Sequence, residues 1–350
     1  LEDNATRLAA HLRAHPDLPL ADVAYTLKEG RRAFEKRRIV VADSAMDAAR
    51  LLEQDSPRRV HSHTALDRPD VVFLFPGGGA QYAGMARDLY ETEPVFAEWM
   101  DRGLDVLAGL TDRDMRALWL PQPQDRAEAE AALAQPSLQL PLIMLTEYAL
   151  AQLWISWGVT PAALCGHSMG ENTAACLAGV LSFEDCIGLV HLRGQLFDTV
   201  PSGGMLSVAL PADRLLPHLG ADLDLAAVNA PDLSVASGPR AALDALETRL
   251  RDMGVDCQRI AIDIAAHSRM LEPILAPFRA YLRGIPLSPP QIPLMSNRTG
   301  ILMTAEQATD PDYWVEHLRS TVLFDACIGT LADTPNRSYL EVGPGKALSS

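Results

Sequence analysis

One pentapeptide of the form G-x-S-x-G, Gly166-His167-Ser168-Met169-Gly170, concentrates the clearest chemistry in the chain. It stands between a short apolar run, Ala162-Ala163-Leu164-Cys165, and a helical stretch from Glu171 to Ala178. A strand-to-helix turn of this kind needs small neighbours and lifts the serine above a sheet, its hydroxyl near a helix N-terminus. The next backbone N–H, that of Met169, then points where an oxyanion would form. The implied chemistry is attack by Ser168 on a carbonyl carbon, which requires a base.

Nine histidines could serve. His11, His15, His61, His63, His191 and His218 lie in polar or helical settings and read as surface residues. His61 and His63 could share a metal, but no third ligand is evident, so no metal site is expected. His167 adjoins the serine, and its ring is expected on the other side of the turn. His267 follows the apolar run Ile262 to Ala266 and opens a new helix; the residues alone do not single it out. Gly77-Gly78-Gly79 follows another apolar run. It could cradle phosphate, yet it lacks the Lys-Ser/Thr of a P-loop and the spacing of a dinucleotide fingerprint. The preferred reading makes the Gly78 N–H a second oxyanion donor. Arg193, on a helix read from Phe183 to Thr199, is either a structural ion pair or a planar fork for a substrate carboxylate.

Positioning such residues takes a large core. At 350 residues, 48% apolar and 21% charged, the chain reads as two or three compact units of an ordinary globular protein. The net charge of −15 opposes a nucleic-acid partner, and an acidic protein partner would need a local basic patch. Five scattered cysteines without CxxC spacing read as reduced thiols in the cytoplasm. No signal peptide is recognised at the start. The stretch from Leu138 to Val159 is interrupted by Gln139, Pro141, Glu147 and Gln152, and is expected to be a buried helix rather than a membrane span.

The fold class expected is α/β. Val71 to Phe75 reads as a strand buried on both faces, and alternating strands and helices from there imply a parallel sheet. Residues 202–263 change style, with four strands and two helices that suit an inserted ferredoxin-like subdomain. The division expected is therefore 1–68, then a core of 69–201 with 264–350, and 202–263 between. Within the first segment, Leu8, Leu12, Leu18 and Leu20 suggest a helix ending near Pro16, and Ile39 to Ala42 a strand after the basic run Arg31 to Arg38. A helix from Met46 to Gln54 follows, and Ser56 to Arg68 reads as a linker.

Taken together, the ordered motifs resemble the acyltransferase domains of modular polyketide synthases and the malonyl-coenzyme A:acyl-carrier-protein transacylases. The resemblance covers the whole chain. Residues 1–68 look like an N-terminal α/β linker subdomain between ketosynthase and acyltransferase, including Leu20 to Leu27 and Gly30-Arg31-Arg32. Phe75-Pro76-Gly77-Gly78-Gly79-Ala80-Gln81 matches a family motif, with Gly78 where many members carry glutamine. Ser296-Asn297-Arg298-Thr299-Gly300 and Glu341 to Lys346 are further landmarks. The implied fold is an α/β-hydrolase-like core with an inserted ferredoxin-like subdomain.

The resemblance implies Ser168 as nucleophile, His267 as its base, Gly78 and Met169 as oxyanion donors, and Arg193 as holder of the malonyl carboxylate. It further implies that His317, in Tyr313 to Leu318, orients His267 through a hydrogen bond to a backbone or side-chain acceptor there, giving a Ser-His dyad rather than a full triad. Gln81, His167, Ile264, Ala265 and Ala266 are the implied pocket residues. No cofactor would be permanently bound; a coenzyme A thioester is the substrate. An acyl carrier protein and neighbouring synthase modules are the partners, with neither nucleic acid nor membrane involved. Ile264-Ala265-Ala266-His267 matches neither His-Ala-Phe-His, common for malonyl, nor Tyr-Ala-Ser-His, common for methylmalonyl. Ala266 leaves room for a methyl group, whereas bulky Met169 and Ala134-Gln135-Pro136 look malonyl-like, and malonyl is the expected unit. The rivals are a serine hydrolase or thioesterase, which would have no use for Arg193, and a non-catalytic docking domain of a megasynthase.

Overall fold

A computed structural model describes residues 1–54 and 56–349. The chain divides into two units at Pro69/Asp70.

In the first unit, helix Glu2–Ala14 packs on helix Ala45–Glu53 because both place small or apolar residues at helical spacing. Ala9 and Leu12 meet Ala45, Ala48 and Ala49 there. Ser44 caps the second helix by accepting the Asp47 N–H at 3.1 Å. Strand β1 (Lys36–Val40) pairs antiparallel with β2 (Val60–Thr64), so the segment read as a linker contains a strand. That strand is exposed, held by its backbone ladder and by polar pairs such as Arg38 Nε to Ser62 Oγ at 2.9 Å. It carries no apolar alternation for a sequence reading to find. His61 and His63 sit on it.

The strands of the second unit are β3 (Asp70–Phe75), β4 (Pro161–Gly166), β5 (Gly204–Val208), β6 (Asp224–Ala230), β7 (Leu233–Gly238), β8 (Cys257–Arg259), β9 (Val322–Leu323) and β10 (Arg337–Glu341). A parallel sheet runs β10-β3-β4. Its centre, β3, is buried from Val72 to Phe75, which explains the unbroken apolar run. The second sheet runs β8-β5-β7-β6-β9. Pairing is antiparallel among β5 to β8, and β9 joins parallel to β6. Helices Ala212–Leu219 and Arg240–Asp252 lie between strands in the order β-α-β-β-α-β. The sheet is thus not confined to residues 202–263, since its edge strand comes from a much later segment.

Helix Pro136–Ser156 is long and apolar enough to cross a membrane by length and composition, yet it is mostly buried in the core. It packs against helix Phe183–Phe197. The approach is close: a Cβ on Gly194 would lie 2.5 Å from the Pro136 carbonyl oxygen.

Candidate active site

The turn after β4 works because two glycines are tightly enclosed. A Cβ on Gly166 would sit 2.0 Å from Glu171 N, and one on Gly170 would sit 2.2 Å from Phe75 O. Between them Ser168 takes a left-handed backbone with φ 55°, uncommon for a residue with a side chain. Asn297 holds it there: its Oδ1 accepts the Ser168 N–H at 2.9 Å and its Nδ2 donates to Gly166 O at 2.7 Å. Glu171 anchors Asn297 in turn. Its carboxyl accepts the Asn297 N–H at 2.7 Å and the Tyr313 hydroxyl at 2.6 Å. Burial raises the Glu171 pKa to about 7.

Ser168 Oγ lies 2.6 Å from His267 Nε2. His267 Nδ1 lies 2.9 Å from the Ser320 carbonyl oxygen. A carbonyl only accepts, so Nδ1 carries the proton and Nε2 is left as acceptor for the serine hydroxyl. Burial, the Arg193 cation and His167 lower the His267 pKa to about 3, against the opposing pull of the Ser320 and His317 carbonyls. His267 also has a left-handed backbone, φ 57°.

Of the backbone or side-chain acceptor expected at His317, the ring is not the one used, while the His317 carbonyl acts on His267 alongside that of Ser320. The His317 ring packs edge-on to His267 with centroids 5.9 Å apart, and its two nitrogens have no hydrogen-bond partner among the described residues. Its Nε2 is 3.6 Å from Glu171 Oε2, too far for a hydrogen bond. Helix Pro311–His317 ends here, its Val315 and Glu316 carbonyls taken by the N–H groups of Leu318, Arg319 and Ser320. Ser320, just beyond it, supplies the acceptor.

Arg193 is 1% exposed. Nη2 donates to Ser168 Oγ at 3.1 Å and Nη1 to Asn172 Oδ1 at 2.9 Å, while Nε has no partner. Both partners are neutral, so among the described residues the structural ion-pair reading has no carboxylate in contact. Burial lowers its pKa to about 10, partly offset by Glu171, so it stays charged at neutral pH. His191, two residues earlier, is 5% exposed rather than at the surface as expected, because this helix is packed on several faces.

These groups share a cavity of about 430 Å³ whose lining includes Gly78, His167, Met169, Ile264 and Ala266. The N–H groups of Gly78 and Met169 have no hydrogen-bond partner among the described residues. His167 is held by Asn229 on β6, Nε2 to Oδ1 2.8 Å, and by an edge contact with Phe324. Two expected pocket residues are placed elsewhere. Gln81 braces the glycine turn, accepting the Gly79 N–H at 2.9 Å and donating to Leu133 O at 3.4 Å. Ala265 is 1% exposed and faces Gly203, leaving no room for a Cβ on that glycine. Asn297, Ser320 and Asn172 were not foreseen as site residues. Asn297 stood only within a recognised motif, and nothing in local spacing ties it to Ser168.

Known proteins are similar to this chain over its full length. The acyl transferase domain family matches residues 72–349, and a CurL-like polyketide synthase C-terminal family matches residues 1–52. A phenolphthiocerol/phthiocerol polyketide synthase of Mycobacterium tuberculosis is 35% identical over 370 residues. The match takes in 100% of this chain and 24% of that protein, so the chain spans about a quarter of that relative. The acyl transferase domain of SpnD, solved with 2-(pent-4-yn-1-yl)malonyl, superposes with TM-score 0.89 at 38% identity over 100% of this chain and 83% of that one. The malonyl CoA-acyl carrier protein transacylase of Clostridium perfringens superposes with TM-score 0.72 at 26% identity over 80% and 88%. The chain belongs to the acyl transferase domain family, in the form found in modular polyketide synthases.

Proposed function

We propose that this domain moves a malonyl-type unit from coenzyme A to the phosphopantetheine thiol of an acyl carrier protein through an acyl-serine, by a Ser168-His267 dyad. One observation carries the reading: Ser168 Oγ is bonded at once to a neutral imidazole acceptor and to a buried guanidinium. His267 Nε2 takes the hydroxyl proton as Ser168 attacks the thioester carbon. The N–H groups of Gly78 and Met169 hold the oxyanion. The C–S bond breaks, coenzyme A leaves with the proton from His267, and the carrier thiol repeats the sequence in reverse roles.

Arg193 is the carboxylate clamp in this reading, and a serine hydrolase has no need of it. Malonyl is favoured over methylmalonyl because bulky Met169 lines the cavity, although Ala266 leaves room on the other wall. The β-α-β-β-α-β order supports a ferredoxin-like insert, residues 202–263, in an α/β-hydrolase-like core of 69–201 with 264–350. Residues 1–68 are read as the linker that would adjoin a ketosynthase, in a cytoplasmic synthase. Intact-mass measurement after exposure to malonyl-, methylmalonyl- and acetyl-coenzyme A tests this. A malonyl adduct absent from Ser168→Ala is expected; no adduct with any of the three would refute it.

A further inference from the structure

Among the described residues, two buried side-chain atoms of the cavity-lining residues have no hydrogen-bond partner. One is Arg193 Nε, a donor that a substrate carboxylate can satisfy. The other is Gln139 Oε1, an acceptor. Gln139 is 3% exposed, on the first turn of helix Pro136–Ser156. Its Nε2 donates to the Ala134 carbonyl at 3.1 Å. That bond fixes the amide orientation, because a reversed amide would set Oε1 against another carbonyl oxygen. Oε1 faces the glycine turn, 3.5 Å from where a Cβ on Gly78 would stand. Gly78 has no side chain to fill the space or to supply a donor.

Two neighbouring polar side chains of the lining are already engaged. His167 is bonded to Asn229, and Gln135 to Asp198. Leu140, Met169 and Ile264 complete an apolar wall. A buried carbonyl without a donor is costly, and burying a methyl group against it keeps that cost. An occupant with a hydroxyl at the same place removes it. Sites that bind a hydroxyl reject the analogue lacking it far more strongly than an apolar pocket rejects one extra methyl.

We propose that Gln139 is a specificity-determining residue that favours a malonyl unit with a hydrogen-bond donor, a hydroxyl, on its α-carbon over the α-methyl counterpart. This rests on the acyl-serine reading above. The thioester carbonyl carbon bonds to Ser168 Oγ as its thiol leaves; meanwhile the α-hydroxyl donates to Gln139 Oε1.

The test is competitive loading of hydroxymalonyl- and methylmalonyl-pantetheine onto the intact domain, read as the mass ratio of the two adducts, with malonyl-coenzyme A as a separate control. Hydroxyl and methyl are similar in size, so the ratio reports the hydrogen bond, and a general loss of activity cancels. The wild-type ratio is expected to favour hydroxymalonyl at least tenfold, and Gln139→Leu to lower it at least tenfold. A wild-type ratio near one, or one favouring methylmalonyl, overturns the proposal whether or not the variant folds. A wild-type preference that persists in Gln139→Leu also overturns it by placing the selectivity elsewhere. Failure of the wild-type protein to load even malonyl would defeat the acyl-serine reading, and this inference with it.

Discussion

Asn297 Oδ1 accepts the backbone N–H of Ser168 at 2.9 Å across 129 residues of sequence. The same side chain ties down Gly166 O, so one carboxamide clasps both limbs of the turn that carries the nucleophile. Through its own N–H it leans on Glu171, and through Glu171 on Tyr313. The left-handed Ser168 backbone is held by this external clasp as well as by its own turn.

Asn297→Ala should therefore lower kcat for malonyl loading about ten- to a hundredfold with KM little changed, since the substrate contacts remain. The variant should lose about 1–3 kcal/mol of stability, the cost of a buried polar group left without its partner. Steady-state kinetics with denaturant unfolding check both. Wild-type kcat in a folded Asn297→Ala protein would remove the positioning role.

The pH profile follows from His267. With its pKa near 3, the imidazole stays neutral and able to accept a proton throughout the mildly acidic range. Single-turnover loading should lack an acid limb at the ordinary histidine value of about 6.5, with the base-dependent fall lying below pH 5. The linkage has a definite sign. The unfolded chain binds a proton on this residue below about pH 6.5, and the folded chain does so only near pH 3. This residue's contribution is full above pH 6.5 and declines as pH falls toward 3. Loading rates and unfolding midpoints measured from pH 8 to 4.5 test the two statements separately.

Arg193→Ala should cut malonyl loading by about a hundredfold or more, the scale of losing a charge-assisted bidentate contact. Acetyl loading should fall much less, so the acetyl-to-malonyl ratio rises. Mass-resolved competition between the two thioesters gives the ratio; an unchanged ratio contradicts the clamp.

Two glycines separate packing from mere conformation. Gly170→Ala forces a Cβ to within 2.2 Å of Phe75 O and should leave little soluble folded protein. Gly329, inside helix Phe324–Ala332, has no heavy atom within 4 Å of its added Cβ. Gly329→Ala should raise stability by about 0.4–1 kcal/mol through the unfolded state. Thermal melts of the two variants distinguish them, and a wild-type melting temperature for Gly170→Ala would contradict the tight turn.

What the sequence by itself determined is local. The run Val71 to Phe75 announces a doubly buried strand, and Gly166 to Gly170 announces a strained turn. The change of style after residue 202 foreshadows a second sheet. Each is written in consecutive residues, because sterics and side-chain period act over a few positions. The motifs of the family named the nucleophile, base and arginine but not their geometry. Tertiary structure alone decided that Ser320, not the His317 ring, accepts from His267, and that Ala265 turns away while Ala266 lines the cavity. It alone brought Asn297 to Ser168, joined β9 to the second sheet and left Gln139 Oε1 without a donor. Those outcomes depend on which carbonyls and side chains converge in space, and hydrogen bonds between distant segments leave no periodic trace in the chain.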